Sequence, residues 1–328
     1  MDELQSLYKQ DYPAFIEPYL ASKSMQRLKG VDMNCGLQFT SNTGFSSYGP
    51  YSRYEHSVGV ACIIWRFTHD KKQTLAGLFH DISTRVFSHV IDFVKKDYLV
   101  QESTEDETRQ IILQDSVIMN QLLCDGISVD EVSDYHLYPI ADNDSPRLSS
   151  DRLEYTLGNL LNYRKHTIKE IEKYFNDLVV GISEYGSQEI MFQHPEIAEE
   201  FAFGALSCGI IYSCDFDRYG MEKLACILRK AFEETILTES DLYLTEIEVI
   251  KKLSESCLHD AWNEYTRLQD VTKDFAGDLM VDAKKRYIDP YICKHGRVTT
   301  FSAAFKNAVN EFKNIDYHYL MKGIYRNG

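Results

Sequence analysis

The apolar residues of this chain recur at spacings of three and four, which is the period of an α-helix. In the stretch from residue 54 to residue 67, Tyr54, Val58 and Ala61 would lie on one helical face. Ser52 and Glu55 have the form of a capping box at its start. The same period predicts helices over 111–123, 152–164, 169–182, 196–212, 221–237 and 302–315. Alternating strand-like runs are few and short, so the predicted fold class is all-α: a helical bundle with irregular loops and at most a minor β-hairpin.

The charge of the chain limits its partners. With 50 acidic and 35 basic side chains, the formal net charge is −15. Nucleic acid or an anionic membrane would require a basic surface, and this balance argues against both, although a small anionic ligand could still bind in a locally basic pocket. No apolar run is long enough to span a bilayer, and the first ten residues are acidic and polar. We therefore expect a cytoplasmic protein without a membrane partner.

A histidine–aspartate pair ends an apolar run in the stretch GLFHDISTRVFSHVID. Consecutive residues of a regular helix diverge by about 100°, so His80 and Asp81 can address one point only where a helix ends. The helical pattern is lost directly after them. Together with His56 and Asp151 they make two imidazoles and two carboxylates, a donor set that suits one divalent ion such as Fe, Mn, Ni or Zn, with Mg less natural. Such an ion would turn bound water into a nucleophile near neutral pH.

Three motifs in this order resemble those of a known family: RYEHSVGV, LFHDISTRVFSH and SDRLEYTLGN. Together they are similar to the H…HD…D signature of the HD-domain superfamily of metal-dependent phosphohydrolases. Within it, they most resemble the deoxynucleoside triphosphate triphosphohydrolase subgroup. The resemblance extends from MQRLKG upstream to KKRYIDP downstream. It implies an HD-domain metal-binding core over residues 1–180 and a helical C-terminal extension over residues 181–328 packed on that core.

The resemblance assigns roles to the residues of the first motifs. It implies that the ligands of a single divalent metal ion are His56, His80, Asp81 and Asp151. Arg53 matches an arginine that grips substrate phosphate. Its spacing of three from His56 puts both side chains on one helix face, and a guanidinium fork suits phosphate oxygens.

A second pair, His89 and Asp92, matches residues near the phosphate that is cleaved. At a spacing of three, the carboxylate would orient the imidazole and raise its pKa toward a value useful for proton transfer. Weaker substrate contacts are assigned to Arg152, Tyr155 and Asn159. The implied substrate is a small phosphorylated molecule, in the first place a nucleotide. Members of the family often form homo-oligomers, and the basic stretch 282–297 is expected to serve packing or such a contact.

Most residues that contact the substrate in the subgroup are replaced in this chain. Ser83 and Thr84 stand where the family has Gly-His, and Glu154 replaces an aspartate. Asp106 is the nearest match to a further catalytic histidine. A later segment that normally offers Arg, His, Tyr and His carries Cys208, Tyr212, Phe216 and Arg218. A binuclear centre is not expected, because the motifs supply no further histidines.

Two functions therefore stay open. The first is hydrolysis of a phosphate ester or anhydride of a nucleotide or another small phosphorylated molecule, by attack of metal-bound water. The alternative is a non-hydrolytic nucleotide- or metal-binding regulatory module. Single residues have simpler readings as well: Asp151 with Glu154 also fits a helix cap, and Arg53 fits a solvent-exposed first turn. His89 and Asp92 fit a purely structural pair.

Overall fold

The chain is mostly helical, as predicted. The computed structural model describes residues 2–8, 10, 12–46, 51–95, 107–163 and 165–327. Within them the α-helices are α1 (Asp2–Tyr8), α2 (Glu17–Leu20), α3 (Lys23–Arg27), α4 (Thr43–Ser46), α5 (Arg53–Thr68), α6 (Lys71–Phe79), α7 (Val90–Val94), α8 (Thr108–Gln114), α9 (Ser116–Asp125), α10 (Ser150–Asn162), α11 (Ile168–Asn176), α12 (Pro195–Ile211), α13 (Asp215–Glu233), α14 (Glu246–Ser254), α15 (His259–Thr266), α16 (Val298–Phe301) and α17 (Ala303–Lys313).

Two small sheets accompany the helices, so the predicted all-α class holds only approximately. The strands are β1 (Leu178–Ile182), β2 (Gln188–Phe192), β3 (Leu268–Lys273), β4 (Tyr291–Ile292), β5 (Gly296–Arg297) and β6 (Met321–Tyr325). One sheet has the order β1-β2-β4-β5, with β2 and β4 parallel and the other pairs antiparallel. Strands β3 and β6 form an antiparallel pair.

Strand β1 lies where the sequence pattern predicts the end of a helix. The prediction carries one helix over 169–182, but α11 ends at Asn176 and β1 follows, with Val180 opposite Ile190 of β2. Val179 and Val180 are β-branched, which favours an extended strand. A short apolar run fits either structure by periodicity alone. The predicted domain boundary also falls inside this strand, and the division into two domains stays a prediction.

Helices α5 and α6 form an antiparallel pair that carries two of the predicted ligands. The predicted capping box of Ser52 and Glu55 is present at the start of α5. After α5, His69 takes a left-handed conformation with φ of 50°, and the Asp70 side chain caps α6. Because the chain reverses within these two residues, the start of α5 and the end of α6 lie at the same end of the pair.

Glycines let α5 approach its two neighbours closely. A Cβ on Gly77 of α6 would lie 2.2 Å from Ile64 Cδ1 of α5, and one on Gly59 of α5 would lie 2.5 Å from Glu154 Oε1 of α10. Both distances are too short for a methyl group, so these positions require glycine in the present packing. The close packing brings Asp151, in the first turn of α10, to the end of the α5–α6 pair that carries both histidines.

Apolar side chains form two large buried clusters. One includes residues of α5, α6, α10, α11 and α12, and the other includes residues of α7, α13, α14 and α15. The longest helices are α12, with 17 residues, and α13, with 19 residues. In the described part of the chain, no single helix has the length and apolar character needed to cross a bilayer; α12 and α13, bent by 44°, meet that test only as a pair.

Candidate metal centre

Four side chains from the sequence motifs meet at one point, and we call them the metal centre: His56, His80, Asp81 and Asp151. His56 Nε2 lies 3.1 Å from Asp151 Oδ1 and 3.2 Å from His80 Nε2. His80 Nε2 lies 3.7 Å from the same Asp151 oxygen. Asp81 Oδ2 lies 3.6 Å from His80 Nε2 and 3.8 Å from His56 Nε2. Donors bonded to one ion at about 2.1 Å are about 3.0–3.4 Å apart at octahedral or tetrahedral angles, so the observed spacing is close to what a single ion requires.

Both imidazoles turn Nε2 toward this point because an acceptor holds the other ring nitrogen. His80 Nδ1 donates to the Gly77 carbonyl oxygen at 2.7 Å. His56 Nδ1 donates to Glu154 Oε2 at 2.5 Å. When both rings are neutral, as metal ligation requires, the two Nε2 lone pairs face each other at 3.2 Å and cannot hydrogen-bond to one another. A cation between them would satisfy both, and a carboxylate behind a ligating histidine is the usual support of such a site.

Glu154 belongs to this site, although the motif comparison takes it only as a replacement of the family's aspartate. Its side chain is fully buried, and the oxygen bonded to His56 also accepts from the Tyr51 hydroxyl at 2.5 Å. Among the described residues, its Oε1 has no hydrogen-bond partner. Glu154 follows Asp151 by three positions, which puts both carboxylates on one face of α10. That spacing is the sequence signal that could have identified it.

Asp151 lies in the first turn of α10 without capping it. The cap is Ser149, whose hydroxyl oxygen accepts from the backbone N–H of Arg152. The reading of Asp151 as a helix cap is therefore wrong. Its carboxylate is instead directed to the two imidazoles.

Arg53 lies directly beside the metal centre. Its Nη1 donates to Asp81 Oδ2 at 2.9 Å, and its Nε donates to the Ser88 hydroxyl at 3.1 Å. The other Asp81 oxygen accepts from the Thr84 hydroxyl at 2.7 Å. Arg53 is only 8% exposed, so the alternative of a solvent-exposed first-turn arginine is wrong.

Burial and neighbouring charges shift the pKa values of the metal-centre residues in opposite directions. Burial lowers the pKa of His56, but its hydrogen bonds to Asp151 and Glu154 outweigh burial and raise that pKa to about 10. Burial raises the pKa of Asp151, and the hydrogen bond with His56 reverses this and lowers it to about 2. For Asp81, the Arg53 guanidinium overcomes burial and holds the pKa well below its usual range. The ionised carboxylates require a positive charge, and this N₂O₂ set fits a divalent metal ion.

His89 and Asp92 lie in contact, with His89 Nδ1 3.1 Å from Asp92 Oδ2 and Asp92 fully buried. Asp92 raises the pKa of His89, as expected, but the net change in that pKa is downward. Burial lowers that pKa, and the charges of Arg286 and Arg53 add to this, which together outweigh the hydrogen bond to Asp92. A neutral imidazole whose Nδ1–H is bound to a carboxylate has its lone pair on Nε2, where it can accept a proton.

The metal centre opens into a cavity of about 580 Å³. Arg53 and His89 line it together with the four residues of the centre. Much of the remaining wall is aromatic: Phe45, Phe93, Tyr135, Tyr155, Tyr163 and Tyr212. A volume of this size, with aromatic side chains beside many polar and charged ones, can hold a small polar molecule.

The three weaker substrate assignments all lie on the cavity wall, and two of them have structural partners. Arg152 pairs with Asp142 at 3.0 Å and donates to carbonyl oxygens of the loop before α10. Asn159 Nδ2 donates to the Tyr212 hydroxyl at 2.7 Å. Tyr155 contacts Tyr212 edge to face, with ring centroids 6.4 Å apart. Their roles toward a substrate stay predictions.

The cavity also contains residues to which the sequence motifs give no function: His136, Asp142, Asp217, Asp282, Lys284 and Arg286. The last three belong to the basic stretch that was expected to serve packing or an oligomer contact. Lys284 and Arg286 lie in the KKRYIDP stretch to which the resemblance extends, but the resemblance assigns them no role. Asp106, the nearest match to the family's further catalytic histidine, lies outside the described residues.

A second group of potential ligands consists of His166, Glu170 and Glu200. Glu200 already accepts from the Tyr174 hydroxyl at 2.8 Å and pairs with Lys173. Glu170 accepts from the Thr167 hydroxyl at 2.7 Å in a capping box. Because a lysine supplies the positive charge there, we do not assign a metal to this group.

Two curated proteins are similar to the chain, while no protein-family model matches it. "Uncharacterized protein YdhJ" of Bacillus subtilis is 28% identical over 322 residues, which cover 94% of this chain and 93% of that protein. "Metal-dependent phosphohydrolase cns2" of Cordyceps militaris is 29% identical over 171 residues. That match covers 51% of this chain and only 46% of cns2.

Solved structures share the fold at low sequence identity. A phosphohydrolase from Bacteroides thetaiotaomicron matches with a TM-score of 0.61 and 14% identity, over 96% of this chain and 95% of that one. A hypothetical protein from Aquifex aeolicus matches with a TM-score of 0.53 and 18% identity, over 78% of this chain and 73% of that one. This chain therefore has the fold of a solved phosphohydrolase, and half of it is similar in sequence to a metal-dependent phosphohydrolase.

Proposed function

We propose that this chain is a metal-dependent phosphohydrolase of the HD-domain type. Its substrate would be a phosphate ester or anhydride of a small molecule, in the first place a nucleotide. The observation that carries the proposal is the convergence of His56, His80 and Asp151 within 3.1–3.7 Å of one another, with Asp81 beside them on the wall of a cavity. The similarity to cns2 over half of the chain supports the general class.

The proposed hydrolysis requires the metal centre, Arg53 and His89. A divalent ion held by the metal centre would polarise a phosphoryl group and lower the pKa of a water molecule enough to make it a nucleophile near neutral pH. Arg53, fixed by Asp81, would stabilise the negative charge that develops on the phosphoryl oxygens. His89, oriented by Asp92, would accept or return a proton at Nε2.

The remainder of the cavity supports a substrate with a planar or apolar portion. Tyr155, Tyr163 and Tyr212 line it together with two phenylalanines. Aromatic faces stack on rings of a ligand such as a nucleobase. A nucleotide would combine such a ring with the phosphoryl group that the metal centre and Arg53 would bind.

The proposal is tested by reloading the purified protein with Mn²⁺, Ni²⁺ or Fe²⁺. Phosphomonoesters, phosphodiesters and nucleoside triphosphates are then assayed for release of phosphate, pyrophosphate or triphosphate. We expect a product that disappears in Asp81→Ala and persists in Asp144→Ala, whose carboxylate is 96% exposed. Nucleotide binding without product under any metal would overturn hydrolysis and would assign the non-hydrolytic binding module, which the replaced substrate-reading residues favour.

A further inference from the structure

The first turn of α13 carries two acidic residues, Asp215 and Asp217. Residues two apart on a helix point about 200° away from each other, so the two carboxyl groups have different surroundings. Asp215 accepts from Arg218 Nη2 at 2.7 Å and from the Tyr319 hydroxyl at 2.5 Å. Asp217 is 5% exposed and lines the cavity into which the metal centre opens. Of the two, Asp217 is therefore the one that a molecule in the cavity would meet.

The carboxyl group of Asp217 has no bonded partner in the part of the chain that the structure describes. No hydrogen bond or ion pair there includes its oxygens. The neighbouring Arg218 donates instead to Asp215 and to the Val281 carbonyl oxygen. Asp142, another acidic residue of the cavity wall, differs because it pairs with Arg152 at 3.0 Å. Since polar groups buried this deeply are normally hydrogen-bonded, the exception points to a partner that the chain itself does not supply.

The surroundings of Asp217 favour its un-ionised form. Burial raises the pKa of Asp217 well above its usual range, and the charges of Arg218 and Arg286 oppose this only in part. Among the described residues, no cation lies within ion-pair distance of its oxygens, and burying a carboxylate without one is costly. An un-ionised carboxyl group presents an O–H donor beside a C=O acceptor. It can therefore pair with a group that offers one acceptor beside one donor.

Aromatic side chains lie near Asp217 in the cavity. A charge on Asp217 would raise the pKa of the Tyr163 hydroxyl and of the Cys35 thiol, which places these three side chains close together on the cavity wall. The Phe45 ring also lines the cavity, with its centroid 6.0 Å from that of Tyr163, and it stacks on Phe216 at 5.4 Å. Aromatic rings bind a flat ring of a ligand through stacking or edge contacts. This part of the cavity therefore suits a planar ring beside the Asp217 carboxyl group.

We propose that Asp217 selects the substrate by pairing with the edge of a nucleobase-like ring that carries one hydrogen-bond donor beside one acceptor. Amidine and lactam edges of heterocycles have this pattern, whereas an edge with two donors would require an ionised carboxylate. The inference rests on the proposed function and narrows it: Asp217 would recognise the ring, and the reacting phosphoryl group would stay with the metal centre and Arg53.

The test is a binding measurement that needs no turnover. Mn²⁺-loaded protein is titrated calorimetrically with pairs of nucleosides, which carry no phosphate: adenosine and purine riboside, cytidine and zebularine, inosine and N1-methylinosine, uridine and N3-methyluridine. The first of each pair has the donor–acceptor edge, and the second lacks it or has it blocked. We expect the wild type to bind the first member of at least one pair roughly tenfold or more tighter than the second. Equal affinity within every pair, or no binding of any nucleoside, would overturn the inference.

Substitutions at Asp217 separate recognition of the ring from a structural role. Asp217→Asn keeps one donor beside one acceptor and should retain at least part of the preference, whereas Asp217→Leu offers neither and should abolish it. Asp144→Leu, which removes a carboxylate that is 96% exposed, should keep the preference. Asp217→Leu should also raise the Tm of the nucleoside-free protein, because it replaces a buried polar group that has no partner by an apolar one.

Three outcomes distinguish the alternatives. A lower Tm and an equal loss of preference in both Asp217→Asn and Asp217→Leu would make Asp217 a counter-charge for Arg286 and would overturn the inference. Hydrolysis of phosphate esters without an Asp217-dependent preference would keep the proposed function and overturn the role of Asp217. An Asp217-dependent preference in a protein that hydrolyses no phosphate ester or anhydride would keep the recognition of the ring and overturn the hydrolase.

Discussion

At the scale of single residues, Glu154 orients one of the two histidines of the metal centre. It holds His56 Nδ1 at 2.5 Å and is itself held by the Tyr51 hydroxyl. Glu154→Gln keeps the size and an oxygen that accepts from His56 Nδ1, but it removes the negative charge that makes the imidazole a stronger metal ligand. We expect Mn²⁺ affinity to fall roughly tenfold to hundredfold, measured by titration against a competing chelator.

The matched control for that variant is Glu172→Gln on α11. Glu172 is exposed, so this change removes the same charge without touching the metal centre. Equal Mn²⁺ affinity in the two variants would contradict the assignment of Glu154. Tyr51→Phe should give a smaller loss of affinity in the same direction, because it removes only the donor behind the carboxylate.

The protonation of His56 predicts a pH dependence of stability in the metal-free protein. Its folded-state pKa is about 10, above the value of about 6.5 in an unfolded chain. The stabilisation from the proton is therefore complete below about pH 6.5 and is lost as the pH rises toward 10. The free energy of unfolding should fall by at most about 1.4 kcal/mol per pH unit in that window.

This slope is measured by denaturant unfolding between pH 6.5 and pH 9 with a chelator present. Because other groups also titrate, the relevant quantity is the difference between the wild type and His56→Gln. Mn²⁺-loaded wild type should lack the His56 contribution, since the ion takes the place of the proton. Identical slopes for metal-free wild type and His56→Gln would show that the ring is neutral in the folded protein.

At the level of elements, the closeness of α5 and α6 is set by Gly77. In Gly77→Ala the new methyl group would meet Ile64 Cδ1 at 2.2 Å. We expect a loss of about 1–3 kcal/mol in the free energy of unfolding, with a lower Tm. Ile64→Val deletes that Cδ1 atom and should cost about 0.5–1.5 kcal/mol alone.

The double variant Gly77→Ala with Ile64→Val tests the contact itself. Because the second change removes the atom that clashes, the pair should lose less stability than the sum of the two single changes. Denaturant unfolding of the four proteins gives this coupling directly. Strict additivity would mean that α6 shifts away from α5 instead of compressing Ile64.

Elements with a strong local signal were predictable from the sequence. Helix α5 begins at Arg53 behind its capping box, as Ser52 and Glu55 indicate, and α6 ends just before His80, as the loss of pattern there predicts. Strand β1 was not predictable from the sequence, because Val179 and Val180 continue an apolar run that also fits the period of a helix. The segment is a strand because it pairs with β2. This pairing joins two separate segments, so it cannot be predicted from the residues of either segment alone.

For the molecule as a whole, the metal centre should contribute to global stability. Its ligands come from α5, from the end of α6 and from α10, so an ion bound there would tie these segments together. A ligand that binds only the folded state at one hundred times its Kd stabilises by about 2.7 kcal/mol. We expect chelation to lower the Tm of the wild type, and Asp151→Ala to remove the difference between chelated and Mn²⁺-loaded protein, as read by calorimetry. An equal Tm for chelated and Mn²⁺-loaded wild type would contradict a metal centre at this place.

The helical character of the chain, the helix ends near the motifs and the candidate metal ligands could be predicted from the sequence alone. The helical features depend on residues within a few positions of one another, where the backbone period decides which side chains share a face. The donor atoms lie on three separate segments, and they were identified from the resemblance of the motifs to a known family. Three further features become visible in the folded chain: Glu154 holds His56, burial and two arginines lower the pKa of His89, and the Arg286 backbone packs against Gly209. These features depend on packing between distant segments and on the charges that this packing brings together. No local sequence pattern indicates which distant segments will pack together.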